Sequence, residues 1–188
     1  MTKKQSLNLL FIGNSHTYYN NMPLLVNRRA TDLGYNCHVT MLAHPGWYLS
    51  QHVRNPEARF NILYGGYDYV VLQEHAHPFA PEKGFADAAR TLNTWVRKAD
   101  AVPVIYETWA RREEPHLQPH MNEVHRRIAK EIDALLAPVG EAWWESIKSW
   151  PDLQIYDEDG AHASPAGSDL AAKMIWETIR ADMNKQKD

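Results

Sequence analysis

Two short segments near opposite ends of the chain carry side chains that together could activate a nucleophile. Ser15 comes shortly after the apolar run 9–12, and the segment Asp159-Gly160-Ala161-His162 precedes the last predicted helix. Serine, histidine and carboxylate are the three side chains that make a hydroxyl nucleophilic at neutral pH. The sequence therefore indicates a serine nucleophile at one end of the chain, with its base and acid together at the other.

The Asp159-x-x-His162 segment has the stronger chemical logic of the two. Gly160 allows the chain to turn back, so that the carboxylate can accept the imidazole Nδ1–H and leave Nε2 aimed outward. Taken alone, this segment also fits an exposed Asp-Gly turn, and Ser15 alone also fits a helix cap after a strand. The catalytic interpretation depends on whether the fold brings the two segments together.

The elements that would position these residues alternate between strands and helices. Apolar runs predict strands over residues 7–12, 37–42, 67–72 and 102–106, and helical spacing predicts helices over 23–33, 85–99, 121–136 and from 165 onward. Such alternation is typical of parallel βαβ units with helices on both faces of one sheet, an α/β fold. Ligands of such folds bind in a crevice at the carboxyl ends of the strands.

The residues whose side chains could take part in catalysis or binding fall at that edge of the predicted sheet. Ser15 follows the first strand, and acid and base precede the last helix. The other segments there follow the second, third and fourth strands, and they are Pro45-Gly46-Trp47, Gln73-Glu74-His75-Ala76-His77 and Thr108-Trp109. This clustering is the main argument for a site.

An acyl-transfer site also needs donors for the oxyanion of its intermediate. We predict that the backbone N–H groups of Ser15 and Gly46 serve this purpose. After the third strand, Gln73 and His75 both carry usable N–H groups, and the sequence leaves the choice between them open. Substrate contacts are predicted for the aromatic side chains of two loops and for the residue before the nucleophile, namely Trp47, Trp109 and Asn14.

Composition excludes several other functions. The 188 residues suit one domain over residues 1–188, and a net charge of −3 with scattered basic residues argues against nucleic acid as a partner. Cys37 is the sole cysteine, so an intrachain disulfide or thiolate cluster is impossible, and a buried thiol is expected. There is no membrane-spanning apolar stretch, and the polar segment 1–8 leads straight into the first strand, so we predict a cytoplasmic protein without a membrane partner.

The ten histidines require metal binding to be considered. His75-x-His77 could chelate, and His116 with His120 has the spacing of zinc ligands on one helix face, but two prolines interrupt that stretch. The sequence contains no HExxH motif, no G-x-S-x-G nucleophile elbow, no phosphate-binding P-loop and no G-x-G-x-x-G fingerprint. We predict no metal and no cofactor.

These blocks resemble those of the SGNH (GDSL-type) hydrolase superfamily. Its Gly-Asp-Ser block is similar to Gly13-Asn14-Ser15, its oxyanion glycine matches Gly46, and its Asp-x-x-His block matches Asp159 and His162. The resemblance implies a three-layer α/β/α fold of flavodoxin-like type with about five parallel strands. It also implies metal-free hydrolysis of lipid esters, acyl-thioesters or acetylated carbohydrates.

The third block departs from the family pattern. Where the family has Gly-x-Asn-Asp after the third strand, with the asparagine as an oxyanion donor, this chain has Gln73-Glu74-His75-Ala76. His75 falls nearest the asparagine position, with Gln73 next. The run 70–74 resembles a divergent bacterial branch of the superfamily.

The combined interpretation is a serine esterase acting on a small ester, with an acetylated sugar as the first substrate class. Ser15 attacks the carbonyl, His162 moves the proton, and Asp159 orients the imidazole. Two alternatives stay open: an esterase directed at lipids or thioesters, and a non-catalytic carbohydrate- or ligand-binding protein on the same fold. The altered third block motivates the second of these.

Overall fold

The computed structural model describes residues 6–186, so most of the polar segment 1–8 lies outside the described residues. Five parallel strands form one sheet in the order β2-β1-β3-β4-β5, the flavodoxin-like order. The strands are β1 (Ser6–Gly13), β2 (Asn36–Ala43), β3 (Tyr69–Leu72), β4 (Val102–Tyr106) and β5 (Leu135–Ala137). The α/β fold is confirmed, while the extent of a single domain over 1–188 stays a prediction.

Helices cover both faces of the sheet. They are α1 (Ser15–Tyr18), α2 (Met22–Asp32), α3 (Leu49–Arg54), α4 (Pro56–Tyr64), α5 (Glu82–Lys98), α6 (Gln118–Glu131), α7 (Val139–Ser149) and α8 (Pro165–Lys185). Along β1, Leu9 and Phe11 join the core formed with α2, α7 and α8, whereas Leu10 and Ile12 join the core formed with α3 to α6. A strand buried on both faces must be apolar at every position, which explains the unbroken run 9–12.

The four predicted strands and the last helix are confirmed to within about two residues, the usual uncertainty of element ends. The predicted helix 121–136 is wrong at its carboxyl end, because α6 ends at Glu131 and the chain reverses at Asp133, which has a φ of 53°. Leu135 continues the helical spacing of α6, but it belongs to β5 instead. Helices α3, α4 and α7 have no counterpart in the sequence interpretation.

Two further sequence expectations concern buried and membrane-spanning segments. Cys37 is buried in β2, and burial raises the pKa of its thiol to about 11, so the thiolate is disfavoured. Between residues 6 and 186, none of the helices combines the length and the apolar character that a bilayer span requires.

Parallel strands direct all their carboxyl ends to one edge of the sheet, and this sets the location of the site. β1 ends at Gly13, directly before α1, and β3 ends at Leu72, directly before the polar loop 73–77. The start of α8 lies at the same edge, because Asn20, which follows α1, donates to Ser168 Oγ at 2.9 Å. Ser164 Oγ caps the helix there by accepting the Gly167 N–H at 3.1 Å. Ser164 is thus the N-cap of α8, and Pro165 lies in its first turn.

Candidate active site

Ser15 is the first residue of α1 and lies two positions after Gly13, the last residue of the interior strand β1. Asn14 caps this short helix, because its side-chain Oδ1 accepts the His16 N–H at 3.1 Å. This cap leaves the Ser15 hydroxyl at the opening of the crevice, with the backbone N–H of Ser15 beside it. The predicted strand-to-helix position of Ser15 is therefore observed.

Gly13 is required by close packing and not by its backbone conformation, since it is not among the glycines with a positive φ. A Cβ at this position would lie 2.4 Å from Gln73 Oε1 and 2.4 Å from Thr17 Oγ1. The absence of a side chain lets the Gln73 amide reach Asn14, where Oε1 accepts the backbone N–H at 2.8 Å, and Thr17, whose hydroxyl it accepts at 2.9 Å. Gln73 thus fixes the turn that carries Ser15.

The predicted acid and base lie in a short hairpin before α8. An antiparallel bridge between Tyr156 and Ala163 closes it, and the Asp157 N–H donates to the His162 carbonyl at 2.8 Å. At its tip Gly160 has a φ of +66°, a left-handed conformation that glycine adopts without strain. The turn brings the Asp159 carboxylate back towards His162, as the spacing predicted.

A continuous chain of hydrogen bonds links this hairpin to the end of β1. Asp159 Oδ2 lies 2.5 Å from His162 Nδ1, and His162 Nε2 lies 2.8 Å from Ser15 Oγ. A carboxylate can only accept, so Nδ1 carries the proton and Nε2 presents its lone pair to the serine hydroxyl. This is the arrangement in which an imidazole can take the proton of a nucleophile.

The carboxylate of Asp159 stays ionised through local hydrogen bonding. Its Oδ1 accepts the backbone N–H groups of Ala161 and His162, both at 2.9 Å. Burial alone would raise the pKa of Asp159, but the hydrogen bonds from the His162 ring and from these two N–H groups hold it well below its usual range. The negative charge therefore faces the imidazole at any working pH.

Aromatic side chains hold the His162 ring in place. The Tyr19 ring stacks on it with a centroid separation of 4.1 Å and an interplanar angle of 10°, and the His16 ring lies 5.0 Å away. The electron-rich face of a tyrosine favours an adjacent cation, so this contact assists an imidazolium. Asn20 connects the two segments further, because its Nδ2 donates to the Ala163 carbonyl at 2.8 Å.

Ser15 and His162 open into a cavity of about 350 Å³. Its wall is mostly polar and consists of Asn14, Ser15, His16, Gly46, His75, His77, Arg111, Asp159, Ala161 and His162. A larger cavity of about 440 Å³ lies between α6 and α7, around Gln118 and Trp144, but it contains neither Ser15 nor His162. The hydrogen-bonded chain, rather than cavity size, therefore identifies the candidate site.

Comparison with known proteins identifies the family. No family model and no curated protein matches the chain. A solved structure from Slackia heliotrinireducens, assigned to the SGNH hydrolases, superposes with a TM-score of 0.81 at 30% identity, covering 93% of this chain and 100% of that one. This chain belongs to the SGNH hydrolase superfamily.

More distant solved structures share the fold of this SGNH hydrolase. The esterase EstA from Pseudoalteromonas superposes with a TM-score of 0.70 at 14% identity, covering 94% of this chain and 98% of that one. Axe2, an acetylxylan esterase from Geobacillus stearothermophilus, gives 0.68 at 16% identity, with 95% and 96% covered. The family assignment and the three-layer fold predicted from the sequence blocks are confirmed.

The backbone N–H groups of Ser15 and Gly46 belong to residues of the cavity wall, and neither has a hydrogen-bond partner among residues 6–186 of the SGNH hydrolase. Gly46 has a φ of +69°, a backbone conformation that other residues would adopt only with strain. Asn14 Nδ2 donates to the Trp47 carbonyl at 3.0 Å and so ties this loop to the nucleophile turn. Neither N–H is engaged elsewhere among residues 6–186, and their role as oxyanion donors stays a prediction.

The prediction that Gln73 could donate to the oxyanion is wrong. Gln73 is fully buried and is absent from the cavity wall. Its Oε1 is occupied by Asn14 and Thr17, and its Nε2 donates to the Glu74 carbonyl at 2.5 Å. The Gln73 amide therefore supports the turn that carries Ser15 without facing the cavity.

His75 lies in the cavity wall, but its hydrogen bonding fixes an unsuitable tautomer. Nδ1 lies 2.9 Å from the Pro78 carbonyl, which can only accept, so Nδ1 carries the proton of the neutral ring. Nε2 of neutral His75 is then an acceptor and has no proton to offer an oxyanion. The ring stacks on Tyr48 with a centroid separation of 4.3 Å.

The predicted substrate contacts are only partly at the cavity. Trp109 is fully buried, stacks on Trp143 at 3.8 Å and donates to the Ala161 carbonyl at 2.8 Å, so its assignment to the substrate is wrong and it supports the base hairpin. Trp47 is half-buried against His44 beside the cavity wall. Asn14 is in the wall but almost fully buried, and its amide serves two backbone groups.

Two further histidines lie in the cavity wall: His16, to which the sequence interpretation gave no role, and His77, which it considered only as a possible metal ligand. Burial first, and then the neighbouring histidines, hold the pKa of His16 well below its usual value, so it is neutral. Burial, with Arg111 and the nearby His162 and His75, lowers the pKa of His77 to about 4. Across residues 6–186 no group of three or more histidine, cysteine or acidic side chains is placed to hold a metal ion.

Proposed function

We propose that this protein is a serine carboxylic-ester hydrolase that uses Ser15, His162 and Asp159. The observation that carries the proposal is the hydrogen-bonded chain from Asp159 through His162 to Ser15, with separations of 2.5 and 2.8 Å. Such separations let a proton move without prior rearrangement. A non-catalytic binding protein has no need for this alignment.

The reaction proceeds in two acyl transfers. Ser15 Oγ attacks the ester carbonyl carbon as its proton passes to His162 Nε2, and the carbonyl oxygen becomes negative. The N–H groups of Ser15 and Gly46 stabilise that oxyanion. The bond to the alcohol oxygen then breaks as His162 returns the proton to it, which leaves an acyl-serine. A water molecule, deprotonated by His162, releases the carboxylic acid by the same steps in reverse.

The substrate class follows from the character of the cavity. Apart from Ala161 and Gly46 its wall is polar or charged, which disfavours a long acyl chain and suits a short acyl group on a polar alcohol. Axe2 is described as an acetylxylan esterase. A short-chain or acetyl ester of a carbohydrate is therefore the proposed substrate, ahead of a lipid or acyl-thioester.

Replacement of the nucleophile tests this function. Ser15→Ala removes the attacking oxygen, so kcat/KM for p-nitrophenyl acetate should fall by at least a thousandfold. Ser149→Ala, at the exposed carboxyl end of α7, is the matched control and should behave like the wild type. Turnover that is absent in the wild type, or unchanged in Ser15→Ala, would contradict the proposal.

Chain length tests the substrate class separately. A series of p-nitrophenyl esters from acetate to octanoate should show kcat/KM declining as the acyl chain lengthens, because the polar wall offers long chains little apolar contact. A rise with chain length would favour the lipid-directed alternative while leaving the serine mechanism intact.

A further inference from the structure

The loop 73–77 lacks the asparagine that usually completes the oxyanion site of SGNH hydrolases, so the source of a third donor has to be found among the groups that the fold places there. Three side chains of this loop carry N–H groups, those of Gln73, His75 and His77. The amide of Gln73 is buried behind the turn, and neutral His75 presents a lone pair at Nε2. His77 is the remaining candidate.

The imidazole of His77 lies in the cavity wall without a hydrogen bond to either nitrogen among residues 6–186. The ring lies in the wall of the cavity that contains Ser15, with its centroid 5.0 Å from that of His16. Of these two nitrogens, Nε2 is closed to solvent, so Nδ1 is the nitrogen that a substrate in the cavity can reach. A buried N–H without an acceptor is costly, so the proton of the neutral ring belongs on Nδ1, where it is open to a substrate oxygen.

The protonation state of His77 suits the task of a donor. Burial, reinforced by the positive charge of Arg111 and by His162 and His75, lowers the pKa of His77 to about 4, although Asp159 opposes the shift. A neutral imidazole has one N–H to donate and adds no positive charge that would compete with the imidazolium of His162. His16 is the other neutral ring nearby, and its Nε2 is likewise buried without a partner in the part of the chain that the structure describes, but its ring packs against Trp109 and His162 at centroid separations of 5.3 and 5.0 Å.

We propose that His77 is the third oxyanion donor of this site, its imidazole N–H donating to the carbonyl oxygen that becomes negative when Ser15 attacks. The proton stays on the ring throughout, so the step is hydrogen bonding and not proton transfer. The proposal rests on the serine esterase function and assigns to His77 the task that the sequence interpretation gave to His75 or Gln73.

Two substitutions at one position separate donation from packing. His77→Phe keeps an aromatic ring but has no N–H, whereas His77→Gln keeps an N–H donor without the ring. For p-nitrophenyl acetate, His77→Phe should lower kcat about a hundredfold with KM nearly unchanged, since the bond forms only in the transition state. His77→Gln should recover at least a tenth of the wild-type kcat, a rescue that a purely structural ring would not show.

His75 provides the matched comparison, since it lies in the same loop and the same cavity wall. His75→Phe keeps the stacking on Tyr48 and should lower kcat less than about fivefold, against about a hundredfold for His77→Phe. Thermal unfolding of each variant establishes that it is folded, and His77→Ala replaces His77→Phe if the larger side chain prevents folding.

The outcomes are distinct. The proposal is overturned if His77→Phe retains kcat within threefold of the wild type, if a folded His77→Gln is as slow as His77→Phe, or if His75→Phe is equally slow. Wild-type turnover that persists in Ser15→Ala would overturn the esterase function itself, and this inference with it.

Discussion

Asp159 acts close to solvent, with 45% of its side chain exposed. Its orientation does not come from burial. The N–H groups of Ala161 and His162 hold Oδ1, which leaves Oδ2 facing the imidazole. The acid and base therefore form one local unit, in which the turn itself sets the angle between carboxylate and ring.

This unit predicts a large effect for Asp159→Asn. The asparagine Oδ1 can still accept the two backbone N–H groups, so Nδ2 would face His162 Nδ1 and force the proton onto Nε2. The imidazole could then no longer take the Ser15 proton, and kcat should fall by roughly a thousandfold to ten-thousandfold with KM little changed. Steady-state kinetics with p-nitrophenyl acetate measures this.

Asp157→Asn is the control for that substitution. Asp157 lies in the same hairpin, and its Oδ1 accepts the Glu158 N–H, a bond that asparagine can keep. Its kcat should remain within about threefold of the wild type, as expected for a surface substitution that breaks no bond. A loss of less than tenfold in Asp159→Asn would show that the carboxylate does not set the tautomer.

Among the elements, the loop after β3 divides its polar side chains between support and chemistry. Gln73 points back to the nucleophile turn, and Glu74 Oε1 accepts the N–H groups of Leu49 and His75 at 3.1 and 2.7 Å. His75 and His77 point to the cavity. One segment thus joins β1, α3 and the cavity wall.

Removal of the Gln73 brace should weaken both the fold and the site. Gln73→Met preserves the volume but leaves the Asn14 N–H and the Thr17 hydroxyl without their acceptor. The free energy of unfolding should fall by about 1–3 kcal/mol. Since the same amide holds the Ser15 turn, kcat should fall as well, and urea unfolding with parallel kinetics tests both.

An exposed glutamine gives the comparison for this variant. Gln154→Met, outside the site, should change the free energy of unfolding by less than about 0.5 kcal/mol. Equal stabilities of Gln73→Met and the wild type would mean that water satisfies the two groups, and the brace would then have no structural role.

The sequence could predict the elements whose signal is local. The end of β1, the position of Ser15 and the Asp159–His162 turn follow from apolar runs, a glycine and short spacing. The boundary between α6 and β5 did not follow, because Leu135 fits the helical period and only the reversal at Asp133 separates the two.

The direction of side chains in the loop 73–77 was beyond sequence reasoning. Gln73 faces inward because β3 pairs with β1 in the register Ile12↔Leu72, which brings it against Gly13. His75 is excluded as a neutral donor by a contact to Pro78, and His77 has no sequence signal besides its place in the loop. Each of these depends on a neighbour that the fold supplies.

For the whole molecule, buried titratable groups set opposing dependences of stability on pH. Burial raises the pKa of Glu107 to about 7, and its Oε2 has no hydrogen-bond partner within residues 6–186. Burial lowers the pKa of His125 to about 4. The carboxyl contributes stability that is lost as pH rises towards 7, whereas the histidine contributes stability that is lost as pH falls from about 6.5 to 4.

Glu107→Gln isolates the first of these contributions. Below about pH 4.5 the carboxyl is neutral in both the folded and the unfolded chain, so the variant should match the wild type. Between that pH and about 7 the unfolded chain ionises while the folded one does not, and wild-type stability falls by about 3 kcal/mol that the variant does not lose.

Thermal unfolding from pH 4 to 8 provides the measurement. The variant should become the more stable protein as pH rises, with the difference levelling off above pH 7, because an amide keeps an acceptor for the Glu141 N–H and has no charge to bury. Parallel curves for the two proteins would show that Glu107 ionises as freely in the folded state as in the unfolded chain.

The bond between Ser15 and His162 spans 147 positions of the chain, and this separation has a consequence in time. Chains are synthesised at about 5–20 residues per second, so roughly 7–30 s pass between the synthesis of Ser15 and that of His162. Throughout that interval the serine is an ordinary alcohol. Under the proposed function a nascent chain cannot hydrolyse esters, and the onset of activity reports that the final hairpin has docked.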